Sequence, residues 1–174
     1  MKDQTAPRPL ETLDAENLHR VLTEHPAHLI RRSYQIFLYC FDEAMAGLKL
    51  SPVTWIMLAT AHSFPGLSVT EVARRAAIDR ASCGRAATAL EKRGLVRIKM
   101  SESDGRQKLL DLTPAGEALV AKGFGRIENL RALLVGQLDA EEQRQFMTSL
   151  TTFVQRSSNH VRASIPQPLE TDNF

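Results

Sequence analysis

Hydrophobic and polar positions between residues 68 and 113 change from a helical period to a strand-like pattern. A short first helix is predicted because its small apolar residues fall on one side: Val72, Ala73 and Ala76. Thr70 can cap this helix, and Ile78 closes the turn that follows. Asp79 is a good N-cap for the next helix, because its carboxylate can accept from free backbone amides one turn later.

The second predicted helix covers residues 80–93 and is rich in Ala, Arg, Glu and Lys, which favour helices. Its expected core face consists of Cys83, Ala86 or Ala87, and Leu90. Its opposite face consists of Ser82, Gly84, Arg85 and Thr88. Gly94 is placed to end the helix in a left-handed cap, and residues 95–100 and 107–112 predict a β-hairpin with a polar turn. Two helices followed by a hairpin predict a winged helix-turn-helix.

The flanking segments predict further helices over residues 14–24, 26–46, 114–138 and from Asp139 onward, and one more that begins at Ser51-Pro52 and ends before Pro65-Gly66. Gly47 is expected to end the second of these, and Asp139 with Glu142 resembles a capping box. Two of the long helices carry apolar stripes at helical spacing: Ile30, Tyr34, Phe37, Leu38, Phe41 and Met45 in one, and Phe146, Leu150, Phe153 or Val154, and Val161 in the other.

These stripes exceed what a small winged domain can cover, so a two-fold homodimer is expected. The predicted fold class is mainly α with a small β-wing, a winged helix-turn-helix with long N- and C-terminal dimerisation helices. The expected regions are an arm and short helix over 1–25, a dimerisation helix over 26–50, a DNA-binding region over 51–113, C-terminal dimerisation helices over 114–165 and a tail over 166–174.

Charge is concentrated in the same winged segment. Residues 70–100 hold eight basic and three acidic side chains, hence +5, whereas the 174-residue chain as a whole is only +2 and residues 1–30 are −2. A local concentration of Lys and Arg indicates a duplex-binding face.

Composition excludes several other classes. No apolar run reaches the length of a membrane span, and the N-terminus lacks an apolar signal core, so a cytoplasmic protein is expected. No phosphate loop, nucleophile elbow or His-Glu-x-x-His motif occurs, so neither an enzyme nor a resident cofactor is expected. Cys40 and Cys83 form no metal-type pair, and His25 and His28 are more readily surface or capping residues than metal ligands.

One polar and aromatic group could bind a small aromatic carboxylate as an effector. It consists of His28, Arg31, Arg32, Tyr34 and Tyr39 on one predicted helix, with Trp55 and His62 on the next. An arginine would pair with the carboxylate while the rings stack on the ligand. The alternative carries equal weight: Tyr34 and Trp55 belong to the core, and the two arginines are solvated.

Three stretches resemble the MarR family of winged-helix transcriptional regulators, over roughly residues 29–150. They are LKLSPVTWIMLAT, VTEVARRAAIDRASCGRAATALEKRGLV and SDGRQKLLDLTPAGEAL. The resemblance implies a homodimer that binds pseudo-palindromic double-stranded DNA, usually as a repressor that a small molecule releases. The segment HLIRRSYQIFLYCFDEAMAGLKLSPV further resembles the nicotinate-degradation repressors, which respond to 6-hydroxynicotinic acid.

The resemblance also implies roles for individual residues. Ser82, Arg85 and Thr88 are expected in the major groove, while Arg106 enters the minor groove and Asp104 orients it. Arginine can bind guanine at two edge atoms, so Arg85 is the best candidate for base readout. Further basic residues are expected at the DNA, mostly on phosphates: Arg74, Arg75, Arg80 and Lys99. Ile98 stands where many relatives carry an arginine, which puts some contacts between the wing and the DNA backbone in doubt.

Two alternative functions remain open. One is a redox-sensing repressor with Cys40 or Cys83 as the sensor, although both cysteines are expected to be buried and inert. The other is a winged-helix protein-interaction module that never binds DNA, against which the charge of the winged segment argues.

Overall fold

The computed structural model describes residues 15–101, Gly105 and residues 107–158. Within these residues the chain forms seven helices and one two-stranded antiparallel sheet. In chain order they are α1 (Ala15–Glu24), α2 (Pro26–Ala44), α3 (Pro52–Ser63), α4 (Val69–Arg75), α5 (Arg80–Lys92), β1 (Val96–Met100), β2 (Lys108–Leu112), α6 (Pro114–Val135) and α7 (Ala140–Ser158). This is the predicted winged helix-turn-helix, mainly α with a β-wing.

The chain divides into two compact units, Met1–Tyr39 and Cys40–Phe174, and the boundary falls within α2. In the first unit, His25 lies between α1 and α2. Its carbonyl accepts from the Leu29 amide at 3.1 Å, and its Nδ1 accepts from the Ala27 amide at 3.2 Å. His25 therefore caps the first turn of α2, which is one of the two ordinary roles expected from the sequence.

The core of the second unit surrounds α3, which packs against α4, α5, α6 and β2. Its largest fully buried side chains come from most elements of the unit: Phe41, Met57, Leu58, Val72, Cys83, Leu90, Leu110 and Val120. Residues from α4, α5 and β2 in this set fix the helix-turn-helix against its wing. The C-terminal part of the predicted α2 stripe, Phe41 and Met45, also lies in this core.

Local capping signals set most helix starts. Ser51 and Thr54 form a reciprocal capping box at α3, and the Thr113 hydroxyl accepts from the Gly116 amide at α6. The Asp139 amide donates to Glu142 at 2.8 Å and the Glu142 amide donates to Asp139 at 2.9 Å, so the capping box predicted for α7 is confirmed. The predicted proline starts at α2, α3 and α6 are also confirmed.

The prediction that Thr70 caps α4 is wrong. Ser68 is the N-cap, and its side chain accepts from the Glu71 amide at 3.1 Å. Ser68 pairs with Leu109 in an isolated antiparallel bridge, and the Leu110 amide donates to the Leu67 carbonyl. This pairing with β2 holds Ser68 in the extended conformation that an N-cap needs. Several helix ends also fall earlier than predicted: α2 ends at Ala44, α5 at Lys92 and α6 at Val135.

The hairpin places the two faces of β1 in different surroundings. Val96 pairs with Leu112 and Ile98 with Leu110, and Val96 and Leu110 are buried. Arg97 and Lys99 alternate with these residues and are exposed. The two predicted strands are thus confirmed as β1 and β2, while most of the polar turn predicted between them lies outside the described residues. None of the helices in the described ranges combines the length and apolar character needed to cross a bilayer.

Candidate nucleic-acid interface

Helix α5 presents the polar face that its periodicity predicts. Asp79 is the N-cap, and Gly94 follows the helix with a φ of 69°. The inward side chains of Cys83, Ala86, Ala87 and Leu90 are all buried. On the other side Arg85 and Thr88 are exposed, while Ser82 and Gly84 are half-buried. A solvent-facing row of polar residues is what a helix needs in order to enter the major groove.

Hydrogen bonds organise this face around Ser82. The Ser82 amide donates to Asp79 Oδ1 at 2.8 Å, and Arg85 Nη2 donates to Ser82 Oγ at 2.9 Å. Hydrogen bonding from the Ser82 side chain, followed by its backbone amide, lowers the pKa of Asp79. The Thr88 hydroxyl donates back to the Gly84 carbonyl at 3.1 Å. Asp79 therefore stays ionised and caps the first turn, and Arg85 lies along the exposed surface of the helix.

Two of the predicted phosphate contacts, Arg74 and Arg75, are held within the protein by Glu71. Arg74 Nε donates to Glu71 Oε2 at 2.9 Å, and Arg75 Nε donates to Oε1 at 3.1 Å. The hydrogen bond from Arg74 is the main reason that the pKa of Glu71 is lowered. Arg75 also lies over the Phe64 ring, 4.3 Å from its centroid, and its side chain is only 23% exposed. A phosphate would have to share these arginines with Glu71.

The base of the wing is linked both to itself and to α5. Lys99 Nζ lies 2.8 Å from Asp111 Oδ2, so this predicted phosphate contact is also in an ion pair. The Ile98 amide donates to Glu91 Oε1 at 3.0 Å, which ties β1 to the last turn of α5. Asp104 and Arg106, the predicted wing residues, lie outside the described residues.

Among the described cations of the winged segment, Arg80, Lys92 and Arg97 are exposed and make no ion pair with any described residue. Arg80 was a predicted DNA contact. Lys92 and Arg97 contribute to the charge excess, but no sequence pattern assigns them a role, because sequence alone does not show which arginine or lysine is already paired. The three acidic residues of this segment all accept hydrogen bonds from the protein: Glu71, Asp79 and Glu91.

The predicted effector residues in the first unit are largely exposed. Tyr34 is 58% exposed, and its ring centroid lies 6.2 Å from that of Phe37. Arg31 Nη1 donates to Gln35 Oε1 at 2.9 Å, while Arg32 and Tyr39 are exposed and His28 is half-buried. Tyr34 is therefore not a core residue within this chain.

Trp55 and His62, the effector residues predicted in the second unit, already have partners. Trp55 is 7% exposed, and its ring meets Phe124 edge-on at 5.3 Å between centroids. His62 Nδ1 lies 2.6 Å from Glu117 Oε2. Trp55 thus has the burial of a core residue in this chain. The assembly of the full effector set, which draws on both units, remains a prediction.

A cleft of about 360 Å³ lies between the base of the wing, α3 and the start of α6. Its lining is mixed in charge and polarity: Ala61, Pro65, Arg97, Lys99, Asp111, Leu112, Thr113, Pro114 and Glu117. Glu117 connects this cleft to His62. No local sequence pattern indicates this cleft, since its walls come from elements far apart in the chain.

The two cysteines are buried, as predicted. Cys83 is fully buried, and burial, followed by the charge of Asp79, raises the pKa of its thiol to about 11. Its Sγ lies 3.5 Å from the Val69 carbonyl oxygen, and Cys40 Sγ lies 3.7 Å from that of Leu133. A thiol that stays protonated and covered is a poor redox sensor.

The sequence and the structure both match known regulators. The MarR family model matches residues 47–107, which include α3, α4, α5 and β1. The chain is 24% identical to the HTH-type transcriptional repressor NicR of Pseudomonas putida over 138 residues, covering 79% of this chain and 87% of that protein.

Two solved structures resemble the fold closely. BpsR of Bordetella bronchiseptica, whose DNA binding is regulated by 6-hydroxynicotinic acid, superposes with a TM-score of 0.70 at 27% identity, covering 75% of this chain and 94% of BpsR. The transcriptional repressor CouR bound to a 23-mer DNA duplex superposes with a TM-score of 0.70 at 26% identity, covering 76% of this chain and 94% of CouR.

The winged helix-turn-helix, its exposed cationic helix and these similarities define a DNA-binding transcriptional regulator. Over this region the chain resembles the MarR family of transcriptional regulators. The MarR-family regulators that this chain resembles are non-enzymatic DNA-binding proteins, in agreement with the prediction from sequence.

Proposed function

We propose that this protein is a homodimeric repressor that binds a pseudo-palindromic duplex and is released by a small aromatic acid. The observation that carries the proposal is the exposed polar face of α5, where Arg85 lies beside Ser82 and Thr88 on an Asp79-capped helix. A helix with this face can place an arginine fork at guanine O6 and N7. CouR, a structural relative, is a repressor bound to duplex DNA.

Backbone contacts would come first from three exposed cations of the winged segment that make no ion pair with any described residue: Arg80, Lys92 and Arg97. Arg74, Arg75 and Lys99 would contribute only by sharing their charge with Glu71 or Asp111. Arg106, oriented by Asp104, would enter the minor groove beside α5. Phosphate contacts fix register, while base contacts supply sequence preference.

Arg85→Ala tests the role proposed for α5. Its affinity for a duplex selected by the wild-type protein should fall by about 1–3 kcal/mol, and discrimination at one base pair should relax. Arg80→Ala is the matched control on the same helix. It should weaken selected and scrambled duplexes alike and reduce the salt slope by about one charge. Unchanged operator affinity and specificity in Arg85→Ala would remove this residue from base readout.

The wing has its own test. Arg106→Ala should weaken specific binding while the thermal unfolding midpoint stays at the wild-type value, because a groove-reading arginine acts on DNA rather than on the fold. A variant with wild-type affinity for the selected duplex would remove the wing from the mechanism.

Dimerisation is supported by apolar surface that this chain does not cover by itself. None of the described side chains of α7 is buried, and five large apolar ones are at least 42% exposed: Phe146, Met147, Leu150, Phe153 and Val154. A second copy could bury such a stripe, and a two-fold dimer that reads one face of the duplex needs its two α5 helices about one helical turn apart, roughly 34 Å.

The effector proposed is an aromatic carboxylate, with 6-hydroxynicotinic acid as the first candidate. This is supported by the exposed Arg31, Arg32 and Tyr34 of α2 and by the likeness to BpsR, whose DNA binding that acid regulates. The acid should raise the unfolding midpoint and release the selected duplex. A tenfold loss of DNA affinity requires about 1.4 kcal/mol of preference for the DNA-free state.

Benzoate and 6-hydroxynicotinamide serve as controls for the ring and for the carboxylate. If 6-hydroxynicotinic acid neither stabilises the protein nor releases DNA, this effector is excluded, while the proposal for DNA binding stands on the duplex assays.

A further inference from the structure

Two arginines hold the turn between α2 and α3, here called the α2–α3 turn (residues 45–51). Arg93, the C-cap residue of α5, donates from Nη1 to the Lys49 carbonyl at 2.7 Å and from Nη2 to the Leu48 carbonyl at 3.3 Å. Arg126 of α6 donates from Nη1 to the Ala46 carbonyl at 2.5 Å and to the Ala44 carbonyl at 3.4 Å. Four carbonyls at or near this turn therefore receive hydrogen bonds from guanidinium groups.

The conformation of this turn explains why it needs such partners. A helix leaves its last carbonyls without backbone donors and has a partial negative charge at its C-terminus, which a cation stabilises. Arg126 supplies that cation at the end of α2. Gly47 and Lys49 both have positive φ, 81° and 53°, and Lys49 has a side chain that disfavours this region. The flanking Met45, Leu48 and Leu50 are buried, so the turn is fixed to the core as well.

The same contacts connect three elements. Arg93 stands where α5 ends, one residue before Gly94 and the chain's entry into β1. Its fork joins that end to the turn, and Arg126 joins the other side of the turn to α6. In the described part of the chain neither arginine pairs with a carboxylate. Both charges are thus directed at backbone carbonyls rather than at an acid.

We propose that Arg93 is a positioning residue for DNA recognition: through the α2–α3 turn it fixes the direction in which α5 presents Ser82 and Arg85, with Arg126 holding the turn from α6. This inference rests on the proposed function of α5. Arg93, one of the eight cations of the winged segment, would thus stabilise the position of α5 and would not contact a phosphate.

Arg93→Lys is the decisive variant, because it keeps the positive charge but loses the planar two-nitrogen fork. Affinity for a 30-base-pair duplex selected by the wild-type protein should fall about tenfold, since charge-assisted hydrogen bonds that orient a helix are lost. Affinity for a scrambled duplex of the same composition and the salt slope should both stay within about twofold of wild type. Arg126→Lys should lower the specific affinity in the same direction.

Lys92→Ala and Arg131→Lys are the matched controls. Lys92 neighbours Arg93, and Arg131 is an exposed residue of α6 paired with Glu128. Lys92→Ala should leave the ratio of specific to scrambled affinity unchanged, and Arg131→Lys should leave both affinities unchanged. All affinities are measured at a temperature where each variant retains its full circular dichroism signal.

Three results overturn the inference. Wild-type specific affinity in Arg93→Lys shows that the fork is not needed, and equal losses on both duplexes show a general structural effect. A direct phosphate contact is identified if Arg93→Lys binds DNA with wild-type affinity while the salt slope of Arg93→Gln falls by about one charge. Failure of the wild-type protein to select any duplex would instead overturn the proposed function itself.

Discussion

Asp79 shows how a single residue serves both the fold and the proposed interface. Its carboxylate accepts from the Ser82 amide and caps α5, and Arg85 donates to the hydroxyl of the same serine. Removing the carboxylate would therefore loosen the first turn of the helix and the position of Arg85 together. A conservative amide would keep the cap, because asparagine caps helices as well as aspartate does.

We expect Asp79→Ala to lower the thermal unfolding midpoint by a few degrees at pH 7, while Asp79→Asn stays close to wild type. The pKa of Asp79 is lowered in the folded state. The ionised cap therefore stabilises fully above the ordinary pKa of an aspartate, and its contribution is lost as the pH falls through the lowered value. The wild-type advantage over Asp79→Ala, followed by circular dichroism, should be constant from pH 5 to 8 and shrink below pH 4. A constant gap down to pH 3 would show that the charge has no part in capping.

Cys83 carries a chemically reactive group, but its burial should make the thiol unreactive. The pKa of its thiol is about 11 in the folded protein, so the protonated form is favoured. The protonated thiol makes its full contribution to stability below the ordinary pKa of a cysteine. That contribution is lost as the pH rises through about 11. We expect neither cysteine to react with iodoacetamide within minutes at pH 7.5 in the native protein, and both to react in guanidinium. Rapid native alkylation together with peroxide-dependent release of DNA would favour the redox-sensing alternative.

At the scale of elements, α3 and α6 meet where a glycine leaves room for an aromatic ring. A Cβ added at Gly123 would overlap the Trp55 ring, whereas one added at Gly125 meets nothing within 4 Å. Both glycines lie in α6. The pair thus separates the packing of two helices from the intrinsic helix preference of alanine over glycine.

Gly123→Ala should destabilise the protein by about 1–3 kcal/mol, because the overpacked side chain must displace Trp55 or the helix. Gly125→Ala should stabilise it by up to about 1 kcal/mol, since it only reduces backbone freedom. Urea denaturation followed by tryptophan fluorescence measures both, and Trp55 is the chain's single tryptophan. Equal effects of the two substitutions would mean that α3 and α6 do not meet at Gly123.

At the scale of the whole molecule, the proposed homodimer would bury the exposed apolar face of α7. Leu150 lies within the exposed stripe, while Thr148 is exposed on another side of the helix. Leu150→Glu should raise the dimer dissociation constant by at least about thirtyfold, as expected for a buried interface residue. Thr148→Glu adds the same charge and should leave it nearly unchanged. Sedimentation equilibrium provides the measurement, and a wild-type monomer at micromolar concentration would count against the dimer.

Loss of the dimer should also weaken DNA binding. A monomer carries one α5 helix and cannot engage two half-sites at once, so Leu150→Glu should bind the selected duplex much more weakly than Thr148→Glu does. A monomeric variant with full specific affinity would exclude a two-fold-symmetric mode of recognition.

The sequence by itself determined the order of elements and most of their starts, because those depend on residues within a few positions of one another. Asp79 caps α5, Gly94 ends it with positive φ, and Thr113 with Pro114 begins α6, as predicted. The inward and outward faces of α5 also followed from helical period alone. The prediction of the α4 cap was wrong because its cause is not local. Ser68 is selected over Thr70 by pairing with Leu109, about forty residues further along the chain.

Only the tertiary structure decided which charges remain available at the surface and which hold the fold. Arg75 lies on Phe64 and pairs with Glu71, Lys99 pairs with Asp111, and Arg93 binds the α2–α3 turn. A count of basic residues gives each of these cations the same weight. Their partners come mostly from other elements, so the contribution of each charge depends on distances that no local pattern contains.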